Sequence, residues 1–209
     1  MWPAALLLGR WLRWHRGLVA GRSVHELGAG LGLSGLVAAM AGASATTLSD
    51  FNPEVVKNLG DNIALNDPVD GGGLGGGRLC SAAFLDWADL SAAAPCDLVI
   101  ASDVVCQTSD AENLARAVGA VMAPGGAALI FLPFPENRFG TEAFPHTLAA
   151  QGFAFEAHEV RCPRLKHGID EANFFRWNAF LITGTAAAAG DSQWHRDLAT
   201  AVRQLSEAE

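Results

Sequence analysis

Apolar and polar positions alternate along this chain in short blocks whose period keeps changing. SVHEL (23–27), ATTLSD (45–50), RLCSAAF (78–84), DLVIASDVV (97–105) and AALIFLPF (127–134) have the length and side-chain types of strands. Between them lie stretches of helical period: LSGLVAAMAG closed by Gly42, NPEVVKNLGDNIALN, and AENLARAVGAVM ended by APGG. Asn52 as cap and Pro53 in the first turn mark the start of the second helix. TEAFPHTLAAQG (141–152) also reads as a helix, and Pro145 inside it predicts a kink or a late start. FAFEAHEV (153–160) alternates as a half-exposed strand, and FRWNAFLITG (175–184) is the last strand. Strands that take turns with helices predict an α/β fold with a parallel sheet.

The two ends complete this frame. MWPAALLLGRWLRWHRG holds an apolar patch, but Arg10 and Arg13 interrupt it. It is too short and too charged to span a bilayer, and reads as a core-packing helix. GGGLGGG (71–77) reads as a flexible insertion, since no helix start follows it directly. The expected organisation is one domain over 1–184, then a linker and terminal helix over 185–209.

Composition narrows the function classes. The 209 residues suffice for one full core, half are hydrophobic, and 17% are charged. A net charge of −8 with two lysines disfavours nucleic acid and membrane surfaces as partners. The four cysteines are scattered without metal-ligand spacing, so reduced thiols and no metal site are expected. A monomer in the cytoplasm or nucleus is the corresponding expectation.

The chemistry concentrates in HELGAGLGLSG (25–35). From Gly30 it spells G-x-G-x-x-G, close to the dinucleotide fingerprint, with Asp50 twenty residues on. Register argues against that reading. The first glycine after the strand is Gly28, and counted from there the third fingerprint position is Leu33. Beginning at Glu26, the same stretch is acidic-x-G-x-G-x-G, the loop of S-adenosylmethionine (SAM) methyltransferases. An acid at the strand end can accept a hydrogen bond, directly or through water, from the ammonium of a bound amino-acid moiety, which a dinucleotide lacks. Gly35 then falls in the helix as an ordinary packing glycine. Asp50 can bridge two ribose hydroxyls in either cofactor, and Asn52 is the better-placed helix cap.

Further motifs follow in order. Trp2-Pro3-Ala4-Ala5 precedes the first strand, and DFNPEVVKNLGDNIALN follows the second. Leu85-Asp86-Trp87 follows the third strand, and Pro124-Gly125-Gly126 precedes the fifth. With these the chain resembles a seven-β-strand (class I) SAM-dependent methyltransferase, and more narrowly the methyltransferase-16-type group rich in protein-lysine methyltransferases. The resemblance spans roughly residues 2–184. It implies a Rossmann-like, doubly wound, seven-stranded and mostly parallel sheet with an antiparallel last strand. It also implies SAM as cofactor, held by Trp2, Glu26, Gly28, Ala29, Gly30, Asp50, Asp86, Trp87 and Ser102. Trp87 would offer an indole face beside adenine, and Asp86 an acceptor for its amine.

The group ends its fourth strand with [AS]-D-V-[IV]-Y. Here Ala101-Ser102-Asp103-Val104-Val105-Cys106 puts cysteine at the tyrosine position, in a chain with no tyrosine. No phenol is available to orient a substrate amine. Asp103 is the expected catalytic residue, positioning a lysine amine of a protein substrate. Phe134, Asn137 and Arg138 are expected on the acceptor side, and Trp177 as an ordinary strand residue. An arginine or small-molecule methyltransferase, or a SAM-binding protein without catalysis, stays open. RCPRLKHG (161–168) is the candidate basic patch for an acidic target.

Overall fold

The computed structural model describes residues 2–66, 79–170, 175–185 and 190–207. Helix α1 (Pro3–Trp14) and one further turn, α2 (Arg16–Val19), precede the sheet. Then β1 (Ser23–Leu27), α3 (Leu33–Met40), β2 (Ala45–Asp50), α4 (Pro53–Asn66), β3 (Leu79–Phe84) and β4 (Cys96–Ser102) alternate. They are followed by α5 (Thr108–Val121), β5 (Met122–Pro133), α6 (Ala143–Ala150), β6 (Phe153–Glu159) and a single turn, α7 (Pro163–Lys166). The chain ends with β7 (Trp177–Thr185), α8 (Gln193–Arg203) and a 3-10 turn to Ser206. The stretch GGGLGGG lies outside the described residues.

The seven strands form one sheet in the order β3-β2-β1-β4-β5-β7-β6. All neighbours are parallel except the pairs β7 makes with β5 and β6. The expected antiparallel last strand is therefore β7. Strand order reverses between β1 and β4, so the crevice outside their carboxyl ends is where such a sheet binds ligands. Pro145 gives the late start rather than a kink, since α6 begins at Ala143.

Strands β4 and β5 are buried on both faces, and their period of two sorts them between two cores. Leu98, Ile100, Leu129 and Phe131 face α1 and α8, whereas Val99, Ala101, Ile130 and Leu132 face α5 and α6. The interrupted apolar run at the N-terminus resolves as an amphipathic helix. Leu7, Leu8, Trp11 and Leu12 of α1 are buried, while Arg13 stays in solvent. Helix α8 packs into that same core through Leu198, Ala201 and Val202. The Trp194 indole donates to the Leu18 carbonyl at 2.8 Å.

The joint between β1 and α3 carries a buried carboxyl group. Glu26 is 2% exposed, and its Oε2 accepts from the Gly35 N–H at 2.8 Å. A Cβ on Gly35 would lie 2.7 Å from that oxygen, so the close approach requires glycine. Burial pushes the Glu26 carboxyl up to about 7, partly offset by the Gly35 N–H and the Ser34 hydroxyl. Its neighbour His25 bonds Ser49 Oγ at 2.9 Å, and burial holds its imidazole down at about 4.

Two outcomes follow from this packing. Leu198→Ala is expected to lower unfolding stability by about 2–5 kcal/mol, in one urea transition. A change below about 0.5 kcal/mol would make α8 an appendage. For Glu26, folding favours the protonated acid, so its stabilising effect is complete below its unfolded value of 4.5 and is lost as pH rises toward 7. His25 acts oppositely, destabilising the fold as pH falls below 6.5. Urea titrations of wild type and Glu26→Gln isolate the carboxyl: their difference should grow by about 3 kcal/mol across that interval. A flat difference would contradict a buried, raised carboxyl.

Candidate active site

Outside the carboxyl ends of β1 to β4 lies a crevice of about 590 Å³, and a second cavity of about 210 Å³ shares Trp2, Gly28, Gly30 and Ser102 with it. The glycine loop forms its floor by a tight turn. Gly28 has φ +62, and a Cβ there would lie 2.7 Å from Val104 Cγ1. That combination excludes any side chain. The Ala29 N–H donates to the Ser49 carbonyl, and the Gly30 N–H to Asp50 Oδ2 at 3.2 Å. Asp50 also accepts from the Asn52 N–H at 3.0 Å and, 9% exposed, lines the crevice at the end of β2. Asn52 Oδ1 accepts from the Glu54 N–H, so Asn52 caps α4 as expected.

Opposite the loop, β3 leads into Asp86 and Trp87, both on the crevice wall. Asp86 Oδ1 accepts from the Ala88 N–H at 2.8 Å, which turns the chain there. Trp2, 61% exposed at the start of α1, closes the other side.

Strand β4 ends three residues earlier than the apolar run predicts, because Asp103 adopts φ +54. No other non-glycine residue among those described has a positive φ, a conformation that costs about 1–3 kcal/mol. The turn brings the Asp103 carboxylate onto the crevice wall with 1% of its side chain exposed. Its Oδ2 pairs with Arg138 Nη2 at 2.8 Å, while Oδ1 is buried without a partner among the described residues. Burial raises the Asp103 pKa, and the Arg138 guanidinium pulls it back down. Arg138 lies with its Cζ 5.2 Å from the Trp2 ring centroid and Nη1 4.0 Å from Cys106 Sγ. Cys106, at the tyrosine position of the group's motif, thus has a basic neighbour from thirty-two residues away.

Of the ten site residues expected from the sequence, Trp2, Gly28, Gly30, Asp50, Asp86, Trp87, Ser102 and Asp103 line the crevice, and Ala29 lines the cavity beside it. Glu26 does not: its carboxylate turns inward to Gly35, so the structure departs from the expectation of an acid open to a ligand ammonium. Gly35, expected as ordinary packing, is the partner that holds it. On the acceptor side only Arg138 reaches Asp103. Phe134 lies under the Arg176 guanidinium at 3.9 Å, and Asn137 Oδ1 accepts from the Arg176 N–H. Trp177 is fully buried in the α1 core.

Gln107, Asp110 and Asn113, at the start of α5, were not anticipated on the wall. The signal for them is local: Asp110 accepts from the Cys106 and Gln107 N–H groups, a capping box that begins α5 at Thr108 rather than Ala111. Among the described residues no cluster of metal-ligating side chains occurs, and no helix is long and apolar enough to cross a membrane.

Known proteins resemble this chain in sequence and in fold. Residues 1–144 match the methyltransferase-16 family model, described as lysine methyltransferase. Human histone-arginine methyltransferase METTL23 is 32% identical over 118 residues, covering 54% of this chain and 58% of that protein. Mouse protein-lysine N-methyltransferase EEF2KMT is 34% identical over 116 residues, covering 50% of this chain and 33% of that one. The matches thus span a third to somewhat over half of these relatives' lengths. In fold, a TehB-like SAM-dependent methyltransferase from Corynebacterium glutamicum superposes with TM-score 0.61 at 13% identity, over 86% of this chain and 88% of that one. Magnesium protoporphyrin IX methyltransferase from Synechocystis, solved with SAM bound, gives 0.58 at 15% identity, over 83% and 75%. A sheet with β7 reversed, a glycine loop at its switch point and a family match over most of the chain lead to one conclusion: the protein belongs to the lysine methyltransferase family of seven-stranded, SAM-dependent methyltransferases.

Proposed function

We propose that the protein is a SAM-dependent protein N-methyltransferase whose acceptor is a lysine amine positioned at Asp103. The observation that carries this reading is the Asp103 carboxylate, on the crevice wall with one oxygen held by Arg138 and the other without a partner among the described residues.

The crevice suits the cofactor in size and in its acidic and aromatic lining. Its volume of about 590 Å³ lies within the roughly 300–1,000 Å³ of small-molecule sites. Nothing lies within 4 Å of where a Gly30 Cβ would be, so the loop backbone is open to a close ligand. Asp50 is placed to accept from ribose hydroxyls, Trp87 to stack on a purine face, and Trp2 to cover the opening. When bound, SAM supplies an electrophilic methyl on a sulfonium.

The remaining work belongs to the chain's own residues. An ammonium must lose a proton before its nitrogen can act as a nucleophile, and a buried carboxylate of raised pKa is suited to take it. Asp103 Oδ1 is the atom available for that proton. Arg138 keeps Asp103 from becoming too weak an acid and fixes it in the turn. With cysteine at position 106, orientation of the amine falls to Asp103 and the neighbouring wall.

A second reading, arginine methylation, has its own support. Asp103 already accepts from a guanidinium, that of Arg138, and the human relative is named a histone-arginine methyltransferase. We further propose a monomer acting in the cytoplasm or nucleus, in keeping with four cysteines scattered along the sequence without metal-ligand spacing.

Incubation with radiolabelled SAM and a demethylated cell lysate is expected to label a protein band containing N-methyl-lysine. Asp103→Ala should abolish the band while SAM binding persists. Label on arginine would select the second reading, and label confined to small molecules would end the protein-substrate proposal.

A further inference from the structure

RWLRWHR (10–16) and RCPRLKH (161–167) together hold six of the fourteen Lys and Arg residues and no acid, in a chain of net charge −8. Folding brings the two together. Arg10 Nη1 donates to the Leu165 carbonyl at 2.6 Å and to the His167 carbonyl at 2.7 Å, which fastens α7 to α1. Between α1, α7 and the end of the chain lies a groove of about 680 Å³, larger than the crevice at the switch point. Its floor is apolar, made by Trp11, Leu165 and Leu205. Its rim carries Trp14 (47% exposed), His15 and Arg164, and the acid that lines it is Glu207.

Most of the cations around this groove lack a carboxylate partner among the described residues. Arg161 pairs with Glu159 at 2.6 Å, whereas Arg13, Arg16, Arg164 and Lys166 have no carboxylate partner among the described residues. Unpaired cations beside an apolar cleft, on an otherwise acidic surface, attract and orient an anionic partner. The shape selects among anionic partners. Trp11 is buried with its indole donating to the Ala201 carbonyl, so among the described residues lining the groove Trp14 is the one open tryptophan face, without a stacking series for a single strand. A concave cleft likewise does not match a flat bilayer surface.

We propose that this groove docks an acidic stretch of the protein substrate, with an apolar side chain seated on its floor. The proposal rests on the protein-methyltransferase reading above. It also gives the substrate a direction. Helix α1 runs from Trp2 at the crevice to Trp14 at the groove, a span of roughly 18 Å at about 1.5 Å per residue. An extended chain covers that with about six residues, so the acidic stretch lies at least that far in sequence from the methylated residue. Asp50, Asp86, Asp103 and Asp110 line the crevice, so the two ends of α1 present opposite charge. A cationic acceptor and an acidic neighbour segment can then bind in one orientation only. The α7 and C-terminal walls of the groove lie beyond residue 144, where the family match ends.

Fluorescence anisotropy with a fluorescein-labelled, leucine-containing Glu-rich peptide tests this on the full chain. The peptide should bind, its affinity should fall with added salt, and Arg13→Glu combined with Arg164→Glu should weaken it about tenfold or more. Both residues are exposed, and SAM affinity by calorimetry should be unchanged in that variant, which also shows that it is folded. Peptide binding indifferent to the charge reversals would overturn the proposal. So would tighter, equally sensitive binding of polyuridine RNA or of phosphatidylserine vesicles. Because the peptide assay involves no methyl transfer, a chain that binds the peptide but never SAM would sink the methyltransferase reading and leave the groove standing.

Discussion

Everything at the mouth of the sheet depends on how the Gly35 N–H meets the buried carboxylate of Glu26. That bond at 2.8 Å ties the first turn of α3 to the end of β1. The chain between them must then turn within a few residues, and it does so with Gly28, Gly30 and Gly32 all at positive φ. A turn this tight brings the loop backbone to the crevice and lets the Ala29 and Gly30 N–H groups bond to the end of β2. Placing an acid in the core is costly, and the raised pKa of Glu26 records that cost. The structure offsets part of it at a helix N-terminus, where free N–H groups favour a negative charge.

The same joint shows what pattern reading reaches and what it does not. Strand positions in β1 and β2 agree with the sequence to the residue, since their period of two and flanking glycines are local signals. About half of the crevice lining was legible too, because a parallel sheet puts residues such as Gly28, Asp50 and Asp103 just past strand ends and the family motif places Trp2 beside them. The inward turn of Glu26 was not legible. A strand-end acid before a glycine loop has the same sequence whether it faces ligand or core, and only the approach of α3 decides. The early end of β4 was hidden for a related reason. DLVIASDVV is apolar enough to continue as a strand, but Asp103 takes a left-handed conformation that apolar periodicity does not register. Arg138 reaches Asp103 across thirty-five residues, a pairing that exists only in three dimensions.

Charge is distributed with a logic that net charge conceals. A chain of −8 reads as an unpromising partner for acidic targets. Yet four aspartates line the crevice at one end of α1, and Arg13, Arg16, Arg164 and Lys166, without carboxylate partners among the described residues, lie at the other. The docking of α8 against α1 builds the second of these surfaces, because Leu205 and Ala201 complete its wall. The C-terminal helix thereby links core stability to the shape of a surface far from the crevice.

Calorimetric titration of the purified chain with SAM and, separately, with NADH tests the central claim most directly. The account predicts one SAM per chain, no measurable NADH binding, and loss of SAM binding in Gly28→Ala, whose added Cβ meets Val104. NADH binding without SAM binding, or undiminished SAM affinity in Gly28→Ala, would contradict it.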